Sequence, residues 1–308
     1  MEQQLVAWIR EHLPSHERLL IGPGDVAAVL AMAGDDQLVV TVDMLMDGVD
    51  FVLGEVDPRR VGRKALAVNL SDLAAMAAKP LAVVIAAALP KSGGRELAEQ
   101  LYQGIIPLAE HFHVALAGGD TNSWDGPLVL SITALGTVTS RGPLTRSGAR
   151  PGDRIIVTGA FGGSILGRHF DFEPRIAEAL LLHERYDIHA GMDVSDGLAL
   201  DLSRLIRESN CGAVVEVNHV PIHDDARSLA SQQNDGRTAL EHALGDGEDF
   251  ELILAVPHDE AQRMLMDHPV AATLTDIGYF TAEPGLWQRS VGGTIVPLKA
   301  TGWQHELS

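Results

Sequence analysis

Apolar positions along the chain recur with two different periods, and the changes from one to the other mark out the elements. Short blocks rich in β-branched residues at Gln37–Val42 and Leu81–Leu89 predict strands. Between and after them, Arg60–Lys79 and Arg95–Phe112 place apolar residues three and four apart, the spacing of a helix that buries one face. Val114–Ala117 and Leu128–Val138 add two more strands, after which SRGPLTRSGARPGD breaks the periodicity with Gly, Pro and Ser. We therefore expect a domain boundary near Arg150, with one domain over residues 1–149 and a second over 150–308. The second part opens with a strand at Arg154–Thr158 and the glycine-rich turn GAFGGS. It continues with a helix after Met192–Asp196 and a strand at Phe250–Val256. No internal repeat of about 20 to 50 residues interrupts this order, so a solenoid is not expected. The pattern predicts two compact α/β units with a cleft between them.

Composition narrows what such a cleft can hold. Apolar residues make up 46% of the 308 and charged residues 21%, the balance of a chain that folds throughout. The formal charge of −19 repels polyanions, so nucleic acid is not an expected partner, and an anionic substrate needs a cation beside it. Cys211 is the single cysteine, which rules out an intrachain disulfide and a cysteine-based zinc site and suits a cytoplasmic protein. The opening MEQQLVAWIREHLPSHERLL mixes both charge signs and reads as an amphipathic helix rather than a secretion signal. The most apolar stretch, Leu81–Pro90, is too short to cross a bilayer, and no membrane insertion is expected.

Several aspartates stand where a strand or a glycine turn ends. Asp25 lies in GPGDVAAVL, where the glycines allow a sharp bend; a metal ligand and an ordinary turn are both open there. Asp43 closes the run LVVTVD, a rigid position for a ligand and also a common place for a cap. In KALAVNLSDLAAM, helical spacing puts Ala65, Val68, Asn69 and Asp72 on one face. A carboxylate in such a stripe is costly unless it has a partner, which favours a ligand role for Asp72. AGGDT places two glycines before Asp120, either a structural turn or a backbone that approaches phosphate while the carboxylate holds a cation. In MDVSDGLALDLSRLI, Asp193, Ser195 and Asp196 cluster at a helix start, where Ser195 or Asp196 is expected as the N-cap.

Carboxylates gathered in one cleft repel one another unless cations neutralise them, and an all-oxygen donor set suits Mg²⁺. No G-x-x-x-x-G-K-[ST] segment occurs, and GAFGGS lacks the phosphate-binding lysine, which excludes a P-loop kinase. Neither G-x-S-x-G nor H-E-x-x-H is present, so a serine hydrolase and a zinc protease are unsupported.

Taken in order, GPGDVAAVL, TVDMLMDGVDF, KALAVNLSDLAAM, AGGDT, PLTRSGARPGD, IIVTG, DVSDGLALDL and GDGEDFEL resemble the motifs of the thiamine-monophosphate kinases across nearly the whole chain. That family is related to aminoimidazole ribonucleotide synthetase, selenophosphate synthetase and a hydrogenase maturation protein. The resemblance implies a two-domain α/β fold with mixed sheets, in which amino-terminal domains pair into a β-barrel across a homodimer. It also implies ATP as phosphoryl donor and thiamine monophosphate as acceptor.

Carried over by position, it implies that Asp25, Thr41, Asp43, Asp72, Asp120, Asp193 and Asp196 bind magnesium, with Asp43, Asp72 and Asp120 central to catalysis. Phe112, Gly119, Asp120, Arg146 and Ser195 match the ATP site, and Asp50, Glu248 and Trp303 the acceptor site. For Arg146 there is an independent reason, since a guanidinium clamps phosphate oxygens in pairs. The chain departs from the family's pattern in three places. Val26 replaces the second of two consecutive aspartates, Asp50 replaces a substrate-contacting histidine, and Asp246-Gly247-Glu248-Asp249 stands for GGED. The stretch between the glycine-rich turn and Asp193 is also short for the family. These changes leave open an ATP-dependent enzyme with another acceptor and a noncatalytic nucleotide- or thiamine-phosphate-binding paralogue.

Overall fold

A computed structural model describes residues 16–22, 24–33, 36–232, 235–290 and 292–304. The first part holds β1 (Leu19–Ile21), β2 (Ala28–Ala31), β3 (Gln37–Met46), α1 (Pro58–Ala75), β4 (Lys79–Pro90), α2 (Gly94–His111), β5 (Ala115–Trp124) and β6 (Val129–Thr137). Its strands form a six-stranded mixed sheet in the order β1-β2-β3-β6-β4-β5, antiparallel except for the β4–β5 pair. The second part holds β7 (Arg154–Thr158), α3 (Ile176–Arg185), β8 (Ala190–Asp193), α4 (Leu198–Glu208), β9 (Gly212–Glu216), α5 (Asp224–Gln232) and α6 (Ala239–Gly245). It ends with β10 (Leu252–Val256), α7 (His258–Asp267), β11 (Leu274–Thr281), β12 (Gly285–Arg289) and β13 (Ile295–Pro297). Here the sheet order is β13-β12-β9-β11-β7-β10-β8, again mixed, with β9 and β12 parallel. The expected α/β fold with mixed sheets is therefore present.

The central element is α1. Pro58 opens it, and the Asp57 carboxylate accepts the Arg59 N–H at 2.9 Å, satisfying one of the free donors at a helix start. From Val61 to Ala75 almost every residue is buried, because α1 packs on β3 and β6 on one side and on β8 and α3 on the other. Gly62 and Gly104 let α1 and α2 close together, since a Cβ on either would lie 2.1 or 1.8 Å from the Leu101 or Arg59 carbonyl oxygen. One core runs from the first sheet through α1 to Ile156, Leu252 and Leu254. On the opposite face of the second sheet, Ile155, Val157 and Ile253 join Leu198, Leu202 and Leu205 of α4 in a second core.

The first sheet is covered on one face only. Val39, Thr41 and Leu45 of β3 are buried toward the helices, while Val42 and Met44 between them are 59% and 57% exposed. Leu81 and Val84 of β4 and Leu116 of β5 are exposed as well, giving the strand-rich half an open apolar face.

Three local expectations change. AGGDT is the middle of β5 rather than a turn after a strand: the β4–β5 ladder runs on through Gly118, Gly119 and Asp120, with a register shift between Val83 and Val84. Gly119 permits this because a Cβ there would sit 1.8 Å from the Ile85 carbonyl oxygen. The helix expected at the chain start falls largely on residues 1–15, outside the described residues, and its last two positions belong to β1. Neither Ser195 nor Asp196 caps α4. The N-cap is Gly197, and Asp201 inside the first turn reaches back to accept the Asp196 and Gly197 N–H groups at 2.9 and 3.1 Å.

Candidate active site

A cavity of about 530 Å³ lies between the two parts of the chain, lined by residues of β3, α1, the β8–α4 connection, the Asp246–Phe250 segment and Trp303. At one end stand Asp43, Asp72, Asp193, Ser195 and Asp196. Each arrives on a different support. Asp43 comes from the middle of β3, which runs on to Met46, rather than from the strand end expected of it; its N–H is held by Asn69 Oδ1 at 3.2 Å, while Asn69 Nδ2 is tied to the Ala65 carbonyl at 3.0 Å. Asp72 projects from α1 and accepts a hydrogen bond from the Thr41 hydroxyl. Asp193 ends β8, where it accepts the Ser71 hydroxyl at 2.5 Å. The polar pair Asn69 and Asp72 that breaks the apolar stripe of α1 thus splits its work, one residue orienting β3 and the other facing the cavity.

These carboxylates hold their protons more tightly than usual. Burial, then the neighbouring charges of Asp193, Asp50 and Asp196, push Asp43 up to about 7. Burial and the charges of Asp43 and Asp193 raise Asp72 well above the ordinary range, and burial raises Asp193. Among the described residues the cationic group that offsets Asp72 and Asp193 in this balance is Arg146. Among the described residues its buried Nε has no hydrogen-bond partner, and its Nη1 makes a long 3.5 Å contact to the Gly24 carbonyl. Such an arginine keeps donors for an anion.

Asp25 serves the arginine loop. Its carboxylate accepts the Arg146 N–H at 3.1 and 3.2 Å and the Val26 N–H at 2.9 Å, and burial raises its pKa. Asp196 is paired with Arg204 at 2.5 Å, an interaction the sequence did not point to. Among the described residues, no three His, Cys, Asp or Glu side chains already converge as a metal cage. Mg²⁺ does not require one, because it takes one or two carboxylates and fills its remaining positions with water and phosphate oxygens. The donor set, all oxygen and mutually repelling, fits that ion.

At the other end the charges are balanced within the chain. Lys64 is completely buried, and its ammonium donates to the Asp50 carbonyl at 3.1 Å and to Glu248 Oε1 at 2.5 Å. His169 Nδ1 stands 2.8 Å from both Lys64 Nζ and Glu248 Oε2. Burial alone would raise the Glu248 carboxyl, but His169 and Lys64 outweigh it and hold the group below its usual value. The Asp50 carboxylate accepts the Met46 N–H at 2.7 Å and so braces its own turn. Trp303 also lines the cavity, and its backbone N–H donated to the Asp196 carbonyl at 2.8 Å sets it beside the carboxylates. Lys64 and His169 escaped the sequence reading, since nothing local distinguishes a lysine on an apolar helix face that happens to be buried.

Gly119, Asp120 and Phe112 lie elsewhere. Across the first sheet Asp43 is in register with Ile132, then Ile85, then Gly119. Three strand spacings separate them, about 14 Å. Asp120 is exposed on the edge strand, and Phe112 caps the end of α2 and leans on the core. Within one chain they do not meet the cavity carboxylates. The turn GAFGGS is likewise no phosphate cradle, because Asp249 accepts the Gly162 N–H at 2.9 Å and Asp246 accepts that of Gly163 at 2.9 Å.

Comparison with known proteins adds an independent line. Residues 24–138 match the family model of the AIR synthase related protein N-terminal domain, and residues 159–286 that of the C-terminal domain. The chain is 42% identical to a thiamine-monophosphate kinase of Rhodopirellula baltica over 312 residues, covering 99% of this chain and 97% of that protein. Among solved structures, AaThiL complexed with AMPPCP and TMP superposes with a TM-score of 0.80 at 26% identity, covering 99% of this chain and 97% of that one. A thiamine-monophosphate kinase from Stenotrophomonas maltophilia gives a TM-score of 0.73 at 32% identity, covering 92% and 94%.

Proposed function

The chain belongs to the thiamine-monophosphate kinase family, and from that premise we propose that it transfers the γ-phosphoryl group of ATP to thiamine monophosphate, giving ADP and thiamine diphosphate. The observation that carries this reading is a cavity whose wall holds the buried carboxylates Asp43, Asp72 and Asp193 beside Glu248, kept ionised by His169 and Lys64, and Trp303. An anionic phosphate needs the buried carboxylates, accompanied by a cation. A cationic thiazolium joined to an aminopyrimidine needs Glu248 and Trp303.

In the proposed reaction a phosphate oxygen of the acceptor attacks the γ-phosphorus in line. The new O–P bond forms as the bond to the β-phosphate oxygen breaks, and the electron pair leaves on ADP. The acceptor oxygen is already anionic, so no general base is required and the protein acts by alignment and charge. Asp43, Asp72 and Asp193 would hold Mg²⁺, which supplies neutralisation of phosphate charge. Arg146 directs its free guanidinium donors to phosphate oxygens, with Asp25 holding its backbone, and Ser195 lies at the same end. Glu248 accepts a hydrogen bond from the acceptor's amino group while Trp303 and Asp50 bound its site.

The open face of the first sheet supports a homodimer, in which a second copy covers Val42, Met44 and Val84. In that assembly the paired sheets form the barrel, and the Gly119–Asp120 edge with Phe112 contributes to the nucleotide site, which accounts for their distance from Asp43 within one chain. The division at residues 149 and 150 into a nucleotide-binding, dimerising part and a part that completes the site belongs to the same proposal. So does residence in the cytoplasm, which the single cysteine supports. Among the described residues no helix is long and apolar enough to cross a membrane.

The test is production of ADP and thiamine diphosphate from ATP, thiamine monophosphate and Mg²⁺, beside an Asp43→Ala control. Stoichiometric products that vanish in the control support the reading. Binding of both ligands without turnover would overturn it in favour of a binding protein. Light scattering in ATP and Mg²⁺ tests the dimer, and a strictly monomeric protein would refute it.

A further inference from the structure

We propose that Lys64 is a positioning residue that sets Glu248 and the Asp50 segment at a fixed distance from Asp72, so that the acceptor is read at both of its ends. The inference rests on the kinase reading above and concerns a side chain that the reading leaves unassigned. Lys64, Val68 and Asp72 follow one another at four-residue intervals along a single stripe of α1, and Val68 and Asp72 both line the cavity. Eight residues of helix span about 12 Å, so α1 is a rigid spacer between the carboxylate end and the Glu248 end.

At its own end Lys64 has no freedom. Its ammonium donates to the Asp50 carbonyl at 3.1 Å and to Glu248 Oε1 at 2.5 Å, His169 Nδ1, which bonds Glu248 Oε2, lies 2.8 Å away, and the Phe170 ring lies 5.4 Å away. His169 and Glu248 are 105 and 184 residues distant in sequence, so this one group ties the first part of the chain to two segments of the second. A contribution to stability alone does not explain it. Burying an ammonium is costly, and a well-packed apolar side chain in such a place is often equally stable. What the charge adds is placement, because Glu248 keeps 31% of its side chain exposed while Lys64 is fully buried, and Glu248 lines the cavity together with Asp50.

The experiment compares wild type with Lys64→Met, Lys64→Arg and His169→Gln. Lys64→Met should raise KM for thiamine monophosphate tenfold or more while kcat and KM for ATP stay within about threefold. Lys64→Arg should restore part of the loss, and His169→Gln should show a smaller rise. A purely structural role would not alter selectivity, so the ratio of kcat/KM for thiamine monophosphate to that for its phosphorylated thiazole half is measured as well. This ratio should fall at least fivefold in Lys64→Met. A crystal structure of Lys64→Met should show the Glu248 carboxylate displaced relative to Asp72. An unchanged acceptor KM, a parallel loss in kcat and ATP affinity, or a Glu248 that has not moved would each overturn the proposal. Should Lys64→Met fail to fold, His169→Gln decides by the same KM and selectivity readouts. Should wild type show no turnover, the kinase reading falls, and the crystallographic position of Glu248 alone decides whether Lys64 positions it.

Discussion

At the carboxylate end of the cavity burial, and then the charge of neighbouring carboxylates, raises the proton affinity of Asp43, Asp72 and Asp193. At the other end Glu248 is just as much a part of the wall, yet Lys64 and His169 keep it ionised. The two ends contain the same functional group in opposite electrostatic states. An ion pair supplied by the chain is settled when the protein folds. Like charges pressed together are not, and such a site is completed only by a cation from solution. The first arrangement suits recognition of a ligand of fixed shape, and the second suits a reaction in which charge has to be brought in with the phosphates.

This contrast can be broken most severely at the carboxylate end. Asp43→Ala or Asp72→Ala should lower kcat by roughly a thousandfold, the scale seen when a preorganised electrostatic group is lost, with little change in acceptor KM. Steady-state kinetics at saturating Mg²⁺ would show it. Removal of Mg²⁺ by a chelator should abolish turnover, and re-addition should restore it.

A pH experiment sharpens the same point. In the metal-free fold Asp43 keeps its proton to about pH 7, whereas an unfolded chain releases it near 4. Between those values the native state binds more protons than the unfolded state, so this group's contribution to stability falls as pH rises from about 4 to about 7 and stays lowest above. Asp43→Asn should therefore melt higher than wild type at pH 8 without metal, and the difference should shrink to about a third at pH 5 and vanish below about pH 4. Mg²⁺ should raise the wild-type melting temperature at pH 8 and raise that of Asp43→Asn less.

At the neutralised end the effects are smaller. Glu248→Gln keeps the shape and loses a charged hydrogen-bond acceptor, so acceptor KM should rise roughly tenfold, or ~1.5 kcal/mol, at unchanged kcat. Thr238→Ala deletes the capping box of α6, in which the Thr238 hydroxyl accepts the Glu241 N–H. It should cost about 1 kcal/mol in denaturant unfolding and leave both KM values within twofold, a control that separates stability from function.

Much of this architecture was legible in the residue pattern because it is local. The period of 3.6 in Arg60–Lys79 anticipated α1 and put Asn69 and Asp72 on one face, and the apolar run before Asp43 anticipated β3. Local rules failed where another segment intervened. AGGDT carries turn residues, but pairing with β4 draws it into a ladder in which Gly119 allows close approach of Ile85. Ser195 and Asp196 are good caps by type, yet Asp201 already satisfies the N–H groups there. From the residues alone Asp25 read first as an ordinary turn, and the Arg146 loop brought against it shows what its carboxylate accepts.

By itself the sequence determined the α/β class, the carboxylates available and the lack of an intrachain disulfide, a cysteine-based zinc site or a P-loop, since these depend on residue type and on spacings within one element. Only the tertiary structure decided which carboxylates share a cavity, that Asp120 lies about three strands from Asp43, and that Lys64 is buried against Glu248 and His169. The reason is physical. The proton affinity of a carboxyl group and the partner of a buried charge depend on burial and on neighbours a few ångströms away, and those neighbours come from segments that meet only when the chain has folded.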